Sequence, residues 1–151
     1  MMPHFTLEDG LFWTTRVVLP SWIGFQTRQG AYGSQNTLTR SDGLVQMVFA
    51  PEGRGTEPLT SAEISMILWT IEYERGISEA LIAGLVKEYP ALQRQYGYSG
   101  VEKTELMPDI KSADNLRSLI GLYAVNVHQL RNKGIPYVGF EFGCTWDGSA
   151  C

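Results

Sequence analysis

Cysteine is scarce in this chain of 151 residues: Cys144 and Cys151 are the only two, both near the C-terminal end. That excludes a disulfide-dense secreted scaffold and makes a reducing cytoplasm the expected compartment. Histidine is equally scarce, with only His4 and His128. No zinc-type ligand spacing links these residues, so neither a metal site nor a cofactor is expected. Apolar runs are short, none near the ~20 residues needed to cross a bilayer. The start, Met1-Met2-Pro3-His4, lacks the cationic and apolar regions of an export signal. Basic residues are in the minority, 12 against 16 acidic, for a net charge of −4. Phosphate binding needs a surplus of Lys and Arg, so nucleic acid is not an expected partner.

What the chain does have is apolar mass. Hydrophobic residues make up 44% and aromatics 11%, including four Trp. That is enough to bury a core and too much for a disordered segment. One domain over residues 1–151 is expected.

The pattern at both ends is β. Residues 5–8 alternate apolar and polar, and Asp9-Gly10 marks a turn. Residues 11–19 (LFWTTRVVL) are rich in β-branched and aromatic side chains and stop at Pro20. Residues 21–27 alternate again and read as more of the ribbon, 28–43 as a polar loop, and 44–50 as a further strand. Near the C-terminus, 123–128 (YAVNVH) and 137–144 (YVGFEFGC) alternate around an Asn-Lys-Gly turn, which predicts an antiparallel pair.

The middle is helical. Thr60-Ser61-Ala62-Glu63 has the form of a capping box, and Ile64, Ile67, Leu68 and Ile71 follow as one helical stripe. Gly76 is read as the break, Ser78 as the cap of a second helix, and Pro90 as its end or restart. Residues 97–110 read as an irregular connector, with a short helix over 113–122 behind Ser112. The fold expected is α+β: an antiparallel β-sheet formed by the N- and C-terminal strands, with the central helices packed on one face.

Three stretches resemble a family of uncharacterised bacterial domains: the C-terminal GFEFGCTWD (139–147), residues 112–122, and residues 5–33. The likeness covers most of the chain. In that family the Trp-Asp pair is followed by an acidic turn and another apolar strand, whereas here Gly148-Ser149-Ala150-Cys151 follow. The resemblance therefore implies an open edge on the 137–144 strand, where another chain can add. By analogy of class, small acidic bacterial domains of this kind include immunity proteins, which bind and neutralise a cognate toxin.

Charge distribution points the same way. Residues 51–110 hold ten acids against five bases, while the flanking regions are close to neutral. An acidic helical layer steers and selects a basic partner. The expected function is a protein-binding module of the immunity or antitoxin type, not an enzyme, with a basic toxin domain as partner. The expected contact residues are Glu72, Glu74 and Glu79 on the helices, and Trp22, Arg28 and Tyr32 around the polar loop. Trp and Tyr suit an interface because they bring large area at low entropy cost. Two alternatives stand beside it. One is a small cysteine-dependent hydrolase or transferase with Cys144 as nucleophile, His128 as base and Asp147 as orienter. The other is an assembly protein that associates through the open sheet edge.

Overall fold

The computed structural model describes residues 3–26, 40–51, 56–133 and 135–150. Arg28 and Tyr32 lie outside them. Strand β1 (Thr6–Glu8) turns back into β2 (Phe12–Val18) at Asp9-Gly10, where φ is positive at both residues (53° and 63°). Such turns match the twist of a hairpin, which is why Asp-Gly was a reliable signal. Strand β3 (Leu44–Phe49) pairs antiparallel with β2. Four helices follow: α1 (Ser61–Glu72), α2 (Glu74–Tyr96), α3 (Gly100–Leu106) and α4 (Ala113–Leu116). Strands β4 (Ile120–Asn132), β5 (Ile135–Cys144) and β6 (Asp147–Ala150) complete a six-stranded sheet whose spatial order is the sequence order.

The fold is α+β, as the pattern predicts, and every strand pair is antiparallel except β3–β4. That parallel pair is where the two ends of the chain meet. A parallel connection needs a long crossover, and the helices supply it.

One face of the sheet is apolar. Val45, Met47 and Phe49 of β3 lie beside Val125 and Val127 of β4, and all five are buried. Met66 and Ile67 of α1, Tyr89 of α2, Met107 and Leu116 close over them in one core. A bulge keeps this face continuous. Leu122 pairs with Phe142 and Val125 with Phe140, so Tyr123 is the extra residue on β4. Without it, Leu122 and Val125 would point to opposite faces.

Several local expectations are corrected. Residues 20–22 form a 3-10 turn instead of extending the ribbon. Helix α1 is capped by the expected box: Thr60 Oγ1 accepts from the Glu63 amide at 3.2 Å and Glu63 Oε1 accepts from the Thr60 amide at 2.7 Å. It breaks at Tyr73, however, not at Gly76, and Ser78 is inside α2. Helix α2 runs through Pro90 to Tyr96. Proline removes one backbone bond there, but tertiary bonds hold the helix beyond it. Tyr89 donates its hydroxyl to the Pro108 carbonyl at 2.8 Å, and Gln93 donates its amide to the Met107 carbonyl at 2.9 Å. Residues 100–106 are helical, not irregular. The helix expected over 113–122 stops at Leu116, and the β4 strand starts at Ile120.

Candidate functional site

The 3-10 turn after Pro20 directs Trp22 inward. Its ring lies 4.8 Å from Phe25 and 5.3 Å from Phe142, centre to centre, and the residue is 1% exposed. The indole Nε1–H donates to Ser78 Oγ at 2.9 Å. One turn earlier on α2, Glu74 Oε1 accepts from the Ser21 amide at 3.1 Å. Trp22 and Glu74 therefore fasten the turn to α2. The expectation that Trp22 is an exposed anchor is corrected: burying so large a ring is worth several kcal/mol, and its polar end finds a partner in Ser78. Glu74 is buried as well, at 5% exposed. Glu72 and Glu79 are exposed.

On the outer side of this joint lies a groove of about 400 Å3 between the turn, α2 and α4. Ile82, Ala83 and the Phe25 ring form its apolar wall. Two ion pairs rim it: Arg75 Nε with Glu79 Oε1 at 3.1 Å, and Arg117 Nε with Asp114 Oδ1 at 3.3 Å. Arg117 also donates to the Ile23 carbonyl at 2.9 Å and stacks over Phe25 at 5.0 Å. Exposed pairs of this kind contribute about 0–1 kcal/mol, so the Arg75–Glu79 pair can exchange partners at little cost, whereas Arg117 is also held by Ile23 and Phe25.

Ile23 links the groove to an apolar patch. Val18 and Leu44 face each other across β2 and β3, and with Ile23 they are 53%, 43% and 47% exposed. Gly43 lies beneath them. A Cβ there would meet Ile23 Cγ1 at 2.8 Å and Val18 Cγ1 at 3.3 Å.

The nucleophile set is not assembled. Cys144 is 1% exposed and disulfide-bonded, so in this state it has no thiolate to offer. Cys151, the other cysteine of the chain, lies outside the described residues. His128 sits beside Gly139, its Nε2 3.5 Å from where a Cβ of that glycine would be. Gly139 and Cys144 are separated along β5 by roughly 16 Å. The backbone of Asp147 pairs with Cys144. Glu141 accepts from the Asn126 amide at 2.9 Å. Among the described residues, no group of three or more His, Cys, Asp or Glu could hold a metal ion, and no helix is long and apolar enough to cross a membrane.

A family profile described as a domain of unknown function, DUF6985, matches residues 22–149. The chain belongs to the DUF6985 family. The matched span runs from the end of the 3-10 turn into β6, so β1 and β2 precede the part that DUF6985 defines. Ile23, Leu44 and every lining residue of the groove except Ser21 lie inside the DUF6985 span, and Val18 lies outside it. No curated protein and no solved structure matches the chain.

Sequence reading had singled out Trp22, Glu74 and Glu79, which do meet at this corner, but it missed Phe25, Arg75, Asp114 and Arg117. The spacing of Arg75 to Glu79 (i, i+4) and of Asp114 to Arg117 (i, i+3) was visible as local pairing. Their convergence on one groove depends on where α4 lands.

Proposed function

We propose that the domain works by binding another protein, as an immunity or antitoxin protein does when it neutralises a toxin. The observation that carries this reading is the apolar patch of Val18, Ile23 and Leu44 adjoining a groove rimmed by exposed ion pairs. An apolar centre with a polar rim is the anatomy of a protein interface. The excess of ten acids over five bases in residues 51–110 favours a basic partner, through faster encounter more than through tighter contact. The reading places the site of action in the cytoplasm. The Cys144 disulfide argues for an oxidising compartment instead, and counting free thiols on protein taken from cells decides between them.

The test is co-expression with the product of the adjacent gene. Copurification together with relief of growth arrest is the expected result. Ile23→Asp and Arg117→Glu should each abolish both while the circular dichroism spectrum is unchanged. Absence of both copurification and relief with the wild-type chain retires the reading.

A further inference from the structure

Strand β5 is ten residues long, but β6 pairs only with Gly143 and Cys144. Along residues 135–142, the side of β5 turned away from β4 has no strand partner among the described residues. The other outer strands of the sheet are short: β1 has three residues and β6 has four. Natural proteins blunt exposed edges with short strands, Lys, Pro or bulges. Residues 135–142 carry no Lys and a single Pro, the second residue of the run.

The packing beside this edge is unfinished. Val125 and Val127 of β4 are 0% and 3% exposed, whereas their neighbours on β5, Phe140 and Val138, are only half-buried. They form an apolar ledge on the helix side of the sheet. On the other side, Ile135 and Tyr137 are 48% and 53% exposed.

We infer that the free edge of β5 pairs antiparallel with β5 of a second copy of this chain, extending the sheet across a two-fold axis at Val138. The occupant is a second copy because the edge is complementary to itself in this register. Directly opposed residues of an antiparallel pair share a face, so a two-fold axis must pass through a residue. With the axis at Val138, Pro136 meets the partner copy's Phe140 and Val138 meets its own counterpart, which closes the ledge. Tyr137 opposes the partner copy's Gly139, beside which the partner copy's His128 lies. Glu141 opposes Ile135, so no like charges face each other. Pairing over 135–141 also ends before Gly143, where β6 begins.

Seven residues a side is small against the roughly 20–30 of a standard interface. The expected association is weak, in the micromolar range. None of residues 135–141 lines the groove, and the dimer is read by sedimentation of the chain alone, so it stands or falls independently of the docking reading.

Sedimentation equilibrium of the full chain, from low to several hundred micromolar, should show a monomer–dimer equilibrium. Tyr137→Lys places a cation on the edge at an exposed position and should weaken the dimer about tenfold or more, with an unchanged melting temperature. Val138→Cys should cross-link to itself under mild oxidation. Tyr137→Cys should not, since diagonal Cα atoms lie beyond the ~7 Å that a disulfide spans. Peptide mapping separates these links from that of Cys144. A monomer at every concentration overturns the inference, and so does a dimer that Tyr137→Lys leaves intact. An edge that pairs only with the strand of a different protein would appear as the first of these outcomes.

Discussion

The indole of Trp22 and the hydroxyl of Ser78 meet at 2.9 Å inside the protein, although they lie 56 positions apart in the chain. Ser78 is 0% exposed, so no solvent can replace it. Ser78→Ala therefore leaves a buried N–H without an acceptor, a loss of about 1–3 kcal/mol. Trp22→Phe removes the donor and part of the ring. In urea unfolding, the double variant should be less destabilised than the sum of the two single variants, because removing the indole N–H also removes the penalty of leaving it unpaired.

Tyr89 supplies a pH prediction. Burial, and secondarily the negative charge of Asp109, push its hydroxyl from about 10 up to about 12. Asp109 is itself held low by the Gln93 amide first and then by Lys103, 3.3 Å away. A folded value above the unfolded one means that the folded state resists losing the proton. The associated stability is complete below about pH 10 and is lost as pH rises toward 12. Ultraviolet titration should show one tyrosine ionising late, and Tyr89→Phe should remove that step.

The cap on α1 has a definite local cost. Thr60→Ala deletes the acceptor for the Glu63 amide and should destabilise by roughly 1 kcal/mol. Thr60→Ser keeps the oxygen and should cost much less. Thermal melts of the two variants compare them directly.

Gly43 cannot be replaced without strain. Its φ is 87°, and a Cβ would lie 2.8 Å from Ile23 and 3.0 Å from the Leu19 carbonyl. Gly43→Ala should lower stability by about 1–3 kcal/mol, read as a shift in the urea midpoint. Gly84→Ala, in α2 with open space around it, should stabilise by up to ~1 kcal/mol.

The strands were legible because alternation and turn residues are local signals, and β1, β2, β3 and β5 fall close to their expected ranges. What sequence could not show depends on contacts between distant segments. Ser78 has the chemistry of a helix cap, but Trp22 recruits it to the interior of α2. Leu119 and Ile120 fit a helical stripe equally well, yet pairing of Ile120 with Cys144 turns the backbone into strand. Trp22 looked like an interface residue because a large aromatic beside a polar loop has no visible burial partner until Phe25, Phe140 and Phe142 are brought to it. The candidate groove was half visible: its ion pairs are local, while its shape is set by where the 3-10 turn docks.

The parallel seam between β3 and β4 bears on how the chain is made. As it leaves the ribosome, β3 emerges with Val45, Met47 and Phe49 paired to β2 on one side only, and the strand that flanks them on the other, β4, is synthesised only after all four helices. Until then those side chains have no lasting cover, and the amino-terminal hairpin is a sticky intermediate. Helix α1 is the first element able to shield them, so slowing translation just after α1 should favour soluble product, and slowing it just before should favour aggregation.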